Sequence, residues 1–139
     1  MKVYQILILA SFAFFACEKS TESLSPMYEA GIAFNLEYDE TTNCNGCDGP
    51  ELRFVNVVTE SRCPEPVACI WAGEVIVEVE IDGEVVVMGL SPIETAPAEV
   101  MVGEWNVSLL KVLPYPTQFL EEDDIDPSIY SLELLVEMM

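Results

Sequence analysis

Alternating apolar and polar residues, the pattern of a half-buried β-strand, recur along the chain from residue 32 onward. The alternation is strongest in residues 32–38, 75–81 and 130–138. In residues 75–81 one face carries Val75, Val77, Val79 and Ile81, and in residues 130–138 it carries Tyr130, Leu132, Leu134, Val136 and Met138. Each of these stretches is predicted to be a strand.

The dipeptide Asp82-Gly83 separates residues 75–81 from a second apolar run at residues 84–90. Both central residues of a type I′ turn need positive φ angles, and this dipeptide suits that turn. The sequence therefore predicts a β-hairpin at residues 75–90.

The remaining stretches add short strands and loops. Residues 52–58, 100–102 and 105–112 are predicted strands, whereas residues 41–50 and 91–98 are rich in turn-forming residues and predict loops. No stretch repeats its apolar residues at the helical spacing of 3.6. The chain is therefore predicted to be all-β, a small antiparallel β-sandwich of about seven strands, with a small barrel as the alternative.

The first residues differ from this pattern. Lys2 precedes an unbroken apolar or small-residue run at residues 6–15. The run is shorter than the roughly 20 apolar residues that cross a membrane, and it is typical of the apolar core of a signal peptide. We predict that residues 1–16 are a signal peptide.

Ala16-Cys17 follows the apolar run directly and resembles the lipobox of bacterial lipoproteins, with Phe14 where that motif usually has leucine. The resemblance implies that Cys17 carries the lipid and becomes the new N-terminus. Residues 17–27 then form a flexible tether and residues 28–139 the β-sandwich domain. We expect attachment to the outer membrane through the lipid, on its periplasmic face or at the cell surface.

Acidic residues far outnumber basic ones, 25 against five, and the net charge is −20. Such a surface repels phosphate groups, so nucleic acids and anionic lipid surfaces are excluded as partners. Membrane attachment has to come from the lipid. A protein or glycan partner is possible on this sequence, but none is identified by it.

Four cysteines remain after Cys17, namely Cys44, Cys47, Cys63 and Cys69. An even number in an exported domain predicts two disulfides. Pairing within each segment, Cys44 with Cys47 and Cys63 with Cys69, is the first choice, and pairing across the segments is the alternative. A zinc site built from all four thiolates and a redox C-x-x-C at residues 44–47 are the competing interpretations.

The most distinctive segment is Ser61-Arg62-Cys63-Pro64-Glu65-Pro66-Val67-Ala68-Cys69-Ile70-Trp71-Ala72-Gly73. It resembles the S-R-C-P…V-x-C-[VI]-W-A-G signature of a family of small bacterial lipoproteins and secreted proteins of unknown function. Members of that family place the signature between two strands and carry a later strand that runs into Pro-Tyr-Pro, as residues 109–116 do here. The resemblance implies an all-β fold and no assigned activity.

The residues of this motif also have a physical interpretation. A bond between Cys63 and Cys69 closes a short loop and removes roughly 2 kcal/mol of unfolded-chain entropy. We expect Trp71 to lie on an emerging strand and pack over the sulfurs, and Arg62 to pair with a carboxylate. The structural interpretation is a disulfide staple with a core tryptophan. The functional one is that residues 64–68 form a rigid loop that docks into a partner.

An acidic run near the C-terminal end offers a different chemistry. Carboxylates cluster there at Glu121, Glu122, Asp123, Asp124 and Asp126, and calcium prefers oxygen ligands of this kind. The run lacks the glycine-turn spacing of an EF-hand, so a solvated loop is the favoured interpretation.

The chain contains no histidine. Ser-His and Cys-His nucleophilic systems and histidine-ligated metals are therefore excluded, and we expect neither a cofactor nor an enzymatic activity. The sequence thus predicts a lipid-anchored binding or structural module of the cell envelope. A calcium- or zinc-binding accessory domain is the alternative, followed by a small thiol redox or hydrolytic enzyme.

Overall fold

The period-two stretches fold into strands of two sheets that pack together. The computed structural model describes residues 26–92 and 95–139. The predicted signal peptide, Cys17 and residues 17–25 of the predicted tether lie outside the described residues. Among the residues described, no helix is long and apolar enough to span a bilayer.

Nine strands run through the described residues in a fixed order. They are β1 (Met27–Tyr28), β2 (Phe34–Glu37), β3 (Thr41–Cys44), β4 (Leu52–Glu60), β5 (Val75–Ile81), β6 (Glu84–Leu90), β7 (Glu99–Val102), β8 (Trp105–Leu113) and β9 (Ser131–Met138). Two short 3₁₀ turns, Glu122–Asp124 and Pro127–Ile129, lie between β8 and β9.

The two sheets divide these strands. One sheet has the order β1-β3-β4-β5-β6 and the other the order β2-β9-β8-β7. Only β1 and β3 pair in parallel; every other pairing of named strands in the described residues is antiparallel. The predicted all-β sandwich is confirmed, with two short strands beyond the seven expected.

The core lies between the sheets and is built by the predicted alternation. Side chains at Val75, Val77 and Val79 are fully buried, as are those at Leu132 and Leu134, and with the other inward residues of both sheets they form a single buried cluster. Burying apolar surface of this kind is the main force that holds two sheets together.

The predicted hairpin is confirmed. Asp82 and Gly83 both have positive φ angles, of 50° and 82°, and they join β5 to β6. This is the backbone geometry that a type I′ turn needs.

Two local predictions were wrong. The loop expected at residues 41–50 begins instead with β3, because Thr41 and Thr42 pair with β4 and the buried Thr42 hydroxyl donates a hydrogen bond of 2.7 Å to the Pro26 carbonyl. The strand expected at residues 32–38 begins only at Phe34. Residues before it turn at Gly31, which has a φ angle of 78°, and this leaves Ile32 exposed.

Candidate functional site

The segment between β4 and β5, which we call the 61–74 loop, contains the distinctive motif. Its ends are neighbours because Glu60 and Val75 face each other across the two strands. Ser61 closes the base: its amide donates to the Glu74 carbonyl over 2.8 Å, and its hydroxyl accepts from the Glu74 amide over 3.1 Å. The loop therefore leaves the sheet from a fixed base.

Gly73 is required at this base by close packing. A Cβ atom at this position would overlap the carbonyl group of Ser61 and lie 2.9 Å from the Arg62 amide nitrogen. Backbone atoms cannot move aside as a flexible side chain can. The motif glycine thus permits the two sides of the loop base to approach each other.

Arg62 forms a buried ion pair with Glu60. The two side chains are 8% and 1% exposed, and the guanidinium Nε donates to Glu60 Oε1 over 2.9 Å while Nη2 bonds Oε2. The prediction that Arg62 pairs with a carboxylate is confirmed. Removing either partner of such a buried pair leaves an uncompensated buried charge, so the two residues depend on each other.

The same guanidinium joins the 61–74 loop to the end of β8. Its Nη1 donates to the Val112 carbonyl over 2.6 Å and its Nη2 to the Pro114 carbonyl over 3.1 Å, while the ring of Tyr115 lies 4.6 Å from its central carbon. The Glu65 amide adds a 3.0 Å bond to the Pro116 carbonyl. The S-R-C-P segment and the Pro-Tyr-Pro segment, far apart in sequence, are therefore in contact.

The four cysteines form two disulfides. Cys44 pairs with Cys47 and Cys63 pairs with Cys69, with Cα–Cα distances of 5.4 and 5.9 Å. These are the predicted pairs. Sulfurs bonded in this way are not thiolates, so they supply no zinc ligands. The redox interpretation of Cys44 and Cys47 stays a prediction, because a redox C-x-x-C passes through the same disulfide.

Within the 61–74 loop the Cys63–Cys69 disulfide closes a segment that contains a turn. Pro64 is buried, and its carbonyl accepts a 2.8 Å hydrogen bond from the Val67 amide. The side chains after it point away from the core: Val67 is 48% exposed and Ile70 is 92% exposed. The loop is thus anchored at its base while its outer part presents apolar groups to solvent.

The expected position of Trp71 was wrong. Its side chain is 69% exposed and belongs to no strand, since β5 begins only at Val75. The chain returns to the sheet at Gly73, which packs closely against Ser61, and Trp71 precedes this point. Trp71 is therefore a surface residue, whereas the other tryptophan, Trp105, is buried.

Sequence reasoning missed two residues that stabilise the site. Glu60 gave no signal because the predicted strand ended at residue 58, and Tyr130 was predicted only as a residue on the apolar face of the last strand. Burial raises the pKa of Tyr130, and the neighbouring Glu60 carboxylate raises the pKa further. Glu60, Arg62 and Tyr130 therefore form one cluster of interacting polar groups.

The acidic run lies near Glu60, and Glu121, Glu122 and Asp123 line a surface cavity together with it. Glu121, Glu122, Asp123 and Asp124 are exposed. Asp126 accepts hydrogen bonds from the Ser128 amide and hydroxyl, of 3.0 and 2.6 Å, which lower the pKa of its carboxyl group. In the described residues no three cysteine or carboxylate side chains are placed to hold one metal ion. The calcium hypothesis stays a prediction.

The guanidinium of the 61–74 loop and the sulfur atoms of the described cysteines are held by bonds within the protein. Arg62 is occupied by one carboxylate and two carbonyls, and the four cysteines of the described part are oxidised. What the site offers is a loop tied at its base and closed by a disulfide, with exposed apolar side chains. No protein-family model, no curated protein and no solved structure matches the chain.

Proposed function

We propose that the chain is a lipid-anchored lipoprotein of the outer membrane whose β-sandwich is a binding module, and that the 61–74 loop docks to a protein partner. The anchoring part rests on the lipobox-like Ala16-Cys17, on the apolar run before it and on the resemblance to the lipoprotein family. Two disulfides in one small domain agree with an oxidising compartment outside the cytoplasm.

The binding part of the proposal rests on three exposed apolar side chains of the 61–74 loop. Val67, Ile70 and Trp71 all face solvent within five residues of chain. Clustered exposed apolar side chains mark interaction surfaces, and tryptophan is among the residues that contribute most to protein interfaces.

Rigidity supports the same function. Cys63–Cys69, the bonds between Ser61 and Glu74 and the contacts of Arg62 fix the loop before any partner arrives. A preordered loop loses little conformational entropy on binding, so more of the contact energy appears as affinity.

Photo-crosslinking in intact cells tests the docking. Ile70 is replaced by p-benzoylphenylalanine, which the nearly complete exposure of this side chain permits. We expect one discrete protein adduct, which the additional substitution Trp71→Ala removes. Met101, an exposed residue of β7 in the other sheet, provides the matched control position and should give no such adduct. Equal labelling at Met101, or none at Ile70, contradicts the proposal.

Intact-mass spectrometry of the native product tests the anchor. We expect a chain that starts at Cys17 and carries acyl groups. A product without fatty acid, or one that still starts at Met1, contradicts this part of the proposal and leaves the crosslinking result to stand separately.

A further inference from the structure

Strand β6 lies at one end of the five-stranded sheet, and no described strand pairs with its outer side. It is seven residues long and pairs with β5 without a register shift. The other strands that end a sheet in the described residues, β1, β2 and β7, have only two to four residues. Proteins usually protect such a strand by making it short or bulged, or by placing charges or proline in it. β6 has one charged residue, Glu84 at its start, and none of the other features.

The main-chain groups of Val85 and Val87 point away from the sheet. In an antiparallel pair, the residues of one strand direct their N–H and C=O groups alternately toward the partner strand and away from it. Gly89 shows which residues point away, because its amide donates a 3.0 Å hydrogen bond to the Pro97 carbonyl instead of to β5. Residues 85 and 87 share this orientation. Neither makes a main-chain hydrogen bond outside the strand pairings within residues 26–92 and 95–139.

The side chains of the same two valines are exposed. Val85 is 50% and Val87 is 46% exposed, whereas Met88, on the opposite face of the strand, is fully buried. Val86 shares the inner face with Met88 and is half-buried. The outer side of β6 therefore combines unpaired main-chain groups with apolar surface, and an extended segment that adds a strand to a sheet uses both.

Carboxylates lie next to these valines on the outer face. Glu80 is directly opposite Val85 on β5, and Glu78 is directly opposite Val87. Opposite residues of an antiparallel pair have their side chains on the same face. Glu80 forms a 3.7 Å ion pair with Arg53, but Glu78 forms none with a described residue. Lysine and arginine have apolar stems that can lie across a valine while their charge extends beyond it, so they suit this surface.

The charge of the chain decides between the possible occupants. The net charge is −20, so a second copy of this chain and an acidic strand are both repelled. A strand that alternates basic and apolar residues matches both faces of β6. Its basic side chains would lie beside the outer valines and the carboxylates, and its apolar side chains would lie beside Val86.

We propose that the outer side of β6 accepts a β-strand of a partner protein in which lysine or arginine alternates with apolar residues. The N–H and C=O groups of Val85 and Val87 pair with the added strand, and Glu78 attracts its basic side chains. This surface uses no residue of the 61–74 loop, so the inference goes beyond the proposed function and does not depend on it.

An NMR titration of the full chain in detergent tests the pairing. The probe is a backbone-cyclised β-hairpin peptide whose outer strand is Lys-Val-Lys-Val-Lys, with the lysine N–H groups on its unpaired side. One control peptide has glutamate in place of lysine, and the other has N-methylated lysines, which cannot donate to β6. We expect saturable shifts of the Val85 and Val87 amides, and roughly tenfold tighter binding of the lysine peptide than of either control.

Substitutions in the chain test the same contacts. Val87→Pro removes an N–H that points away from β5, which a strand at the end of a sheet tolerates, and it should weaken the lysine peptide roughly tenfold. Met101→Pro is the matched control in the other sheet. The Leu109 amide donates to the Ala98 carbonyl, so the same alternation directs the N–H of Met101 away from β8, and binding should be unchanged. Glu78→Gln should weaken the lysine peptide about threefold and leave the glutamate peptide no weaker.

Several results overturn the inference: no saturable binding of the lysine peptide, equal binding of the glutamate peptide, or unchanged binding after N-methylation. The N-methylated peptide tests the main-chain bonds even if Val87→Pro does not fold. Light scattering of the chain without peptide tests the other occupant. We expect a monomer, and a dimer that Val87→Pro disrupts would show that a second copy pairs with β6 and would contradict the basic partner strand.

Discussion

The buried pair of Arg62 and Glu60 offers the sharpest test of how the loop is held. Arg62→Met keeps most of the side-chain volume but removes the charge. The Glu60 carboxylate then stays buried without a cation, and the carbonyls of Val112 and Pro114 lose their donor. Breaking a buried ion pair on one side costs about 3–5 kcal/mol, and we expect a loss of that size in the free energy of unfolding.

A second substitution separates the charge from the packing. Adding Glu60→Gln to Arg62→Met leaves no charge buried, so the double variant should recover about 1–2 kcal/mol relative to Arg62→Met alone. The double variant also gives a measurable protein if Arg62→Met alone does not fold, since domains of this size have only about 5–15 kcal/mol of stability in total.

Urea denaturation followed by the fluorescence of the buried Trp105 measures these changes with the disulfides intact. Lys111→Met is the matched control because it removes a cation from the ion pair with Glu133, in which the lysine is 60% exposed. Exposed pairs contribute at most about 1 kcal/mol. If Arg62→Met costs no more than Lys111→Met, the reasoning about the buried pair is refuted.

Three further changes test other parts of the structure. Gly73→Ala forces the loop base away from the Ser61 carbonyl and should cost about 1–3 kcal/mol in urea denaturation; a neutral effect would show that the base is not closely packed. Replacing Cys63 and Cys69 together by serine should cost roughly 2 kcal/mol, and the unsubstituted domain should show no free thiol before reduction. Burial, with the nearby charge of Asp82, raises the pKa of Tyr28 to about 12 from 10.0, so this side chain's contribution to stability is complete below pH 10 and is lost as the pH rises to about 12. Tyr28→Phe should flatten that alkaline decrease in the urea midpoint, and an unchanged decrease would contradict it.

The period-two pattern predicted the fold well, because a strand with one apolar face can turn only that face toward the core. The β5–β6 hairpin is the clearest case, since its turn residues and both of its strands were readable from sequence. The pattern failed where main-chain or polar contacts decide the structure. Thr42, in a stretch predicted as a loop, pairs with β4 and bonds the Pro26 carbonyl.

The site was only partly predictable for a related reason. The two disulfides are the pairs that the sequence favoured while leaving pairing across the segments open, but the partner of Arg62 could not be identified from sequence. Two irregularities in β4, between Phe54 and Asn56 and between Val57 and Thr59, shift its register before Glu60 turns inward. Alternation alone does not reveal such shifts. The position of Trp71 was predicted wrongly because it depends on the close approach of Gly73 to Ser61. These two residues lie at opposite ends of the loop, and the sequence pattern does not reveal contacts of that kind.

The way Arg62 reaches the end of β8 has a consequence for how freely this protein can change. Both of its acceptors there are main-chain oxygens, at Val112 and Pro114, so other residue types at these positions would still present the same atoms. The anchoring bonds of the loop also leave the outward residues 67, 70 and 71 unconstrained by side-chain hydrogen bonding. Substitutions at residues 67, 70 and 71 therefore change the exposed surface of the loop while the bonds at its base stay the same. New binding specificities can arise in this way without changes to the β-sandwich.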